Sequence, residues 1–256
     1  MKITIIPLYI FLILFNLPIF SQDKQIEKVE VLFIGNSFTY FWNMPQMVNA
    51  MGALGKDSFE TFQSTVGGST FKQHYNREKG TKTRDYLETK QWDYVILQDH
   101  SLGTIEAPDD FDTYGTKLVN EVREKNALPV LYMTWGYHSN PLLQKIISEK
   151  YMQLAQKLNI PYVPVGEIFM KVRELRPDLN MYFDDKHPSS DASYLIALIF
   201  YKALTGKTVH NIPDRITSFD ENGEKIILSF VLNETGSFFR QLVDEFTFDP
   251  NQIIKK

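Results

Sequence analysis

The chain has 256 residues, 43% of them apolar and 23% charged, with a net charge of −4. Those values suit one α/β domain with a sizeable core and exclude a disordered, collagen-like or coiled-coil chain. With no cysteine, disulfides, thiol catalysis, cysteine-ligated zinc and iron–sulfur clusters are excluded, and without a basic cluster nucleic acid is not an expected partner.

Taken in chain order, residues 1–21 hold one early lysine, an apolar run over 3–20 and then Ser21-Gln22. This reads as a signal peptide; the alternative is an uncleaved membrane anchor, which Pro7, Asn16 and Pro18 weaken. The expected mature chain is therefore one exported domain over 22–256, periplasmic or extracellular and without a membrane span. Residues 29–34 (VEVLFI) read as a buried strand ending at Gly35. Asn43 followed by Pro45 starts a helix running to about Leu54. Residues 59–65 form the second strand, residues 81–89 a helix, and residues 93–98 the third strand. Residues 109–125 are amphipathic and helical, 129–134 (PVLYMT) a fourth strand, 142–158 a helix and 161–165 a fifth strand. A last strong helix over 189–204 closes at Gly206. The core ends near 207, and the extension 208–256 holds a hairpin around Glu221-Asn222-Gly223 and a helix over 238–246. Strands separated by helices imply a central parallel sheet in a flavodoxin-like three-layer α/β/α sandwich.

Chemistry in such a sheet sits beyond the carboxyl ends of the strands. Those ends carry Gly35-Asn36-Ser37, Gly67-Gly68-Ser69 and Gln98-Asp99-His100-Ser101, and Asp184-Asp185-Lys186-His187-Pro188 precedes the last helix. A serine, glycine amides, an amide side chain and an Asp/His pair are what acyl transfer needs. The hydroxyl requires a base, and the oxyanion requires N–H donors aimed at it. Asp184 and His187 lie three residues apart, so one turn can bring the carboxylate to Nδ1. Pro188 keeps His187 out of a helix, leaving Nε2 free to face Ser37.

Over residues 31–207 the chain resembles the SGNH hydrolases, the GDSL-type esterase/lipase superfamily, in a secreted bacterial branch. The resemblance rests on IGNSFT, VGGST and DDKHP, in the family's order. It implies Ser37 as nucleophile, His187 as base, Asp184 as its orienting partner, and the N–H groups of Ser37 and Gly68 in the oxyanion hole. The third block departs from the family's G-x-N-D and reads ILQDHS. Gln98 is the natural substitute for the missing asparagine, with Ser101 as a second candidate.

Tyr40, Trp42, His100, Trp135 and His138 follow strand ends and are candidate pocket residues, with aromatic faces suited to stacking on sugar rings. Each has a plainer reading as core or surface. No H-x-H or H-E-x-x-H spacing supports a metal, and neither a metal nor a cofactor is expected. The expected activity is hydrolysis of short acyl esters, acetyl above all, on carbohydrates or glycoconjugates. An acyltransferase would use the same residues, and a non-catalytic glycan-binding protein on the same scaffold is the alternative from another class.

Overall fold

The computed structural model describes residues 28–55, 59–249 and 254; the segment 1–21 lies outside the described residues. Five strands, Val29–Gly35 (β1), Phe59–Thr65 (β2), Tyr94–Leu97 (β3), Leu128–Tyr132 (β4) and Tyr162–Val163 (β5), form one sheet in the order β2-β1-β3-β4-β5. Every pairing in it is parallel. The sheet has the expected flavodoxin-like architecture, and the strand order reverses between β1 and β3. A crevice opens there, at the ends that carry Asn36-Ser37 and Gln98–His100.

In chain order the helices are Ser37–Tyr40 (α1), Met44–Leu54 (α2), Phe71–Tyr75 (α3), Thr83–Thr89 (α4), Gly103–Glu106 (α5), Pro108–Glu124 (α6), Leu143–Leu158 (α7), Val165–Leu175 (α8), Ser190–Thr205 (α9) and Asn233–Glu245 (α10). Alternate strand residues supply two cores, as the two-residue period requires. Val31, Phe33, Ile96 and Val130 pack with α2, α8 and α9. Leu32, Ile34, Val95 and Leu131 pack with α6 and α7. Strands buried on both faces need continuous apolar runs, which is why VEVLFI and YVIL were legible as strands.

Where expectation and structure part, proline and length account for it. Only two residues of the expected fifth strand pair, and α8 begins at Val165, directly after Pro164. Proline lacks the ladder's N–H and fits a helix start, so the strand gives way to a helix. The short helices α1, α3 and α5 are too brief to show a period.

The extension has a definite job. Arg215–Phe219 (β6) and Lys225–Phe230 (β7) form an antiparallel hairpin that turns at Gly223, where φ is 79°. The hairpin and α10 place Ile216, Leu228, Val231, Phe239 and Val243 in the same core as α9. Helix α9 (SDASYLIALIFYKALT) is apolar nearly all round and buries residues on every face. The sheet, α2 and α8 cover much of it, and β7 and α10 of the extension cover what they leave. Each large side chain so buried contributes about 1.5–3 kcal/mol. Helix α9 is bounded by Ser189, whose Oγ accepts from Ala192 N at 3.1 Å, and by Gly206 at φ 68°. That start fixes where the preceding Asp184–Pro188 loop meets the sheet.

Candidate active site

Ser37 is the first residue of α1, immediately beyond β1. Asn36 caps this helix, its side-chain oxygen accepting from Phe38 N at 3.0 Å, and its Nδ2 donates to Ser69 O at 3.0 Å and Asp99 O at 3.3 Å. The caps thus join three strand-end loops into one rigid corner. In the second of them, Ser69 N–H closes a turn on Val66 O at 3.0 Å. Gly68 takes a φ of 64° there, a conformation only glycine adopts without strain.

His187 comes from the loop between Tyr182 and Pro188, whose backbones pair across it. Its Nε2 lies 2.9 Å from Ser37 Oγ and its Nδ1 2.7 Å from Asp184 Oδ2. Asp184 Oδ1 accepts the backbone N–H groups of Lys186 and His187, each at 2.8 Å. Burial pushes the Asp184 carboxyl up, but the bonds from the His187 ring and the two backbone amides outweigh it, holding the group at about 2. The ring is gripped as well: Phe41 stacks on it at 4.3 Å and Phe38 meets it edge-on at 5.8 Å. Further bonds hold the loop, among them Ser139 N to Asp185 Oδ1 (2.8 Å), Trp135 Nε1 to Lys186 O (2.9 Å) and Trp42 Nε1 to Pro188 O (2.9 Å).

A cavity of about 380 Å³ opens beside Ser37 and His187, walled by Tyr40, Phe41, Gly67, Gly68, His100, Ser101 and Lys186. Of the expected pocket residues, Tyr40 and His100 line it. Trp42, expected in the pocket, does not line it; it follows Phe41 of the wall, is 40% exposed and stands edge-on to Phe183 at 5.8 Å. It and Asn43 hold consecutive left-handed backbones, with φ 55° and 57°.

Three further expectations need correction. Trp135 is fully buried, stacked between Phe38 at 4.4 Å and Phe169 at 4.7 Å, so it is core and not pocket wall. His138 is exposed and borders a different cavity with Arg173 and Tyr182. Gln98 is fully buried behind the cavity. Its Oε1 accepts from Asn36 N and Thr39 Oγ1, each at 2.9 Å, and its Nε2 donates to Asp99 O. Its amide ties β3 to the nucleophile's turn and does not reach the oxyanion position. Ser101 does reach the cavity, with its hydroxyl on Tyr137 OH at 2.8 Å.

The grip of Phe38 and Phe41 on His187 went unread in the sequence, although both aromatics follow the nucleophile within four residues. So did His74, buried behind the site with its ring on Ser69 Oγ, Gly35 O and Thr83 Oγ1. Burial pushes His74 down to about 4 and pushes the buried Asp99 carboxyl up to about 7. These act oppositely on stability. Between pH 4 and 6.5 the unfolded chain holds a proton on His74 that the folded chain lacks, so this group's contribution is lost as pH falls. Between pH 4 and 7 the folded chain holds a proton on Asp99 that the unfolded chain lacks, so this contribution is lost as pH rises. The two slopes largely cancel. Relative to wild type, His74→Gln should therefore lose stability between pH 4 and 6.5 as pH rises, and Asp99→Asn should gain it, each by about 3 kcal/mol. Urea unfolding across that range checks this; parallel profiles for all three proteins would contradict it.

No family model and no curated protein matches the chain. Solved structures do. A protein of Slackia heliotrinireducens assigned to the SGNH hydrolases is 24% identical, with a TM-score of 0.59 over 69% of this chain and 98% of its own. A DUF4886 family protein from Bacteroides uniformis ATCC 8492 is 20% identical, with a TM-score of 0.68 over 85% of this chain and 93% of its own. The acetylxylan esterase Axe2 of Geobacillus stearothermophilus is 17% identical, with a TM-score of 0.54 over 68% of this chain and 93% of its own. The parallel sheet, its strand order and these likenesses together give the chain the SGNH-hydrolase fold.

Proposed function

We propose that the chain is an exported serine esterase that removes short acyl groups, acetyl above all, from carbohydrates or glycoconjugates. The observation that carries this reading is the hydrogen-bonded line Ser37–His187–Asp184, with spacings of 2.9 and 2.7 Å. In the reaction, Ser37 Oγ attacks the ester carbonyl carbon as its proton passes to His187 Nε2, and Asp184 stabilises the resulting imidazolium. The tetrahedral oxyanion is held by the N–H groups of Ser37 and Gly68. Collapse breaks the bond to the alcohol, which leaves with the proton from His187. Water then attacks the acyl-serine, gives its proton to His187, and the acid departs as Ser37 recovers that proton.

The cavity and the aromatic surface near it point to the substrate class. A space of about 380 Å³ is at the small end for ligand sites and suits a short acyl group. Beside it Trp42 and Phe183 present exposed aromatic surface, Phe183 being 63% exposed, on which a sugar ring can lie. Similarity to an acetylxylan esterase supports the same choice. Export rests on the leader-like segment 1–21.

The test is labelling of the mature chain by a fluorophosphonate, with the adduct mapped by peptide mass. Modification at Ser37 is expected, together with turnover of acetyl esters at least tenfold faster than of palmitoyl esters. An unlabelled Ser37 would favour the glycan-binding alternative, and a preference for palmitate would sink the short-acyl assignment.

A further inference from the structure

We infer that His100 donates the third hydrogen bond to the oxyanion, from its ring Nε2–H. This rests on the esterase reading above and names a residue that reading leaves without a chemical role.

The need comes from the reaction. Charge gathers on the carbonyl oxygen as Ser37 attacks, and rate is gained only from donors already fixed where that oxygen will lie. Two N–H groups are available: those of Ser37 and Gly68 border the cavity and take no protein acceptor among the described residues. The side-chain amides nearby are already committed. Both hydrogens of Asn36 Nδ2 go to backbone carbonyls, and Gln98 lies fully buried behind the corner. Ser101 faces the cavity with its hydroxyl 2.8 Å from Tyr137 OH, a contact in which either oxygen can donate.

His100 is placed differently. It follows β3 by three residues and walls the same cavity as Ser37 and Gly68. Just beyond β1 and β3, bonds from Asn36 N to Gln98 Oε1 and from Gln98 N to Ile34 O, each 2.9 Å, tie its loop to the nucleophile's turn. Leu102 N–H points at its Nδ1 at 3.4 Å, which makes Nδ1 the acceptor and leaves the ring proton on Nε2. Burial lowers the ring's pKa; Glu106 opposes this, and the ammonium groups of Lys186 and Lys79 add to it. The ring is thus kept neutral, a donor at Nε2 and no competing acid for His187. Tyr40 also reaches the cavity, but its hydroxyl lies toward Gly67, 3.3 Å from where a Cβ on that residue would sit.

The experiment compares wild type with His100→Ala, His100→Gln and Tyr40→Phe in p-nitrophenyl acetate turnover and in the rate of fluorophosphonate labelling. Glutamine is the informative replacement, because its Nε2 amide sits as far along the side chain as the imidazole Nε2. His100→Ala should lower kcat about 10²- to 10³-fold with KM within about threefold, and should slow labelling in step, because the phosphonyl adduct uses the same hole. His100→Gln should recover at least tenfold of that loss, and Tyr40→Phe should lose at least tenfold less than His100→Ala. An active wild type with His100→Ala within threefold of it overturns the assignment, as does a His100→Gln variant no faster than His100→Ala. A large loss confined to Tyr40→Phe would move the role to Tyr40. Wild type that neither labels nor turns over ester would instead remove the esterase reading itself.

Discussion

Replacing Ser37 by alanine, or His187 by alanine, should each lower p-nitrophenyl acetate turnover by 10³-fold or more, and the double variant should lose little beyond either single change. The groups act as one unit: without the hydroxyl there is no acyl-serine, and without Nε2 there is nothing to take its proton. Asp184→Asn should follow with a loss of about 10³- to 10⁴-fold. An amide at the 2.7 Å contact can offer its N–H to Nδ1 and favour the wrong tautomer, leaving Nε2 protonated and unable to act as base. The side-chain amide oxygen can still accept the backbone N–H groups of Lys186 and His187, so the loop should keep its shape. Folding of the variants is checked by circular dichroism. Multiplicative losses in the double variant would mean that Ser37 and His187 act separately, which the proposed mechanism does not allow.

Trp135→Ala should be the most damaging single change to stability, at about 3–5 kcal/mol. The indole fills the gap between Phe38 and Phe169, and its removal leaves a cavity that two flat rings cannot close. It also strands the Lys186 carbonyl that the indole N–H satisfies at 2.9 Å. Since Phe38 follows the nucleophile and Lys186 precedes the base, the same change should loosen both halves of the site. Trp135→Phe separates the two effects. It keeps a ring in the stack and loses the bond, so stability should fall by about 1–3 kcal/mol while activity falls tenfold or more. Urea unfolding measures the first and ester turnover the second. Full activity in Trp135→Phe would show that the bond to Lys186 does not position His187.

Much of the site could be read from local pattern. Ser37 after a strand and glycine, and D-x-x-H-P before a helix, encode geometry over a few residues: a helix start and a turn whose carboxylate reaches back to the ring. The strands were legible because buried parallel strands are continuous apolar runs. Gln98 was misplaced for an equally physical reason. An amide at a strand's end can turn toward the cavity or back into the sheet, and partners 59 and 62 residues away, Thr39 and Asn36, turn it back.

By itself, then, the sequence determined the α/β alternation, the strand-end placement of the polar blocks and the pairing of Asp184 with His187, because periodicity, turn chemistry and short spacing are properties of neighbours in the chain. Only the tertiary structure decided that Trp135 belongs to the core, that His138 faces another cavity, that His100 stands in the wall beside Ser37, and that residues 208–249 complete the burial of α9. Burial and side-chain direction depend on what packs against a residue from elsewhere in the chain, and no local pattern carries that information.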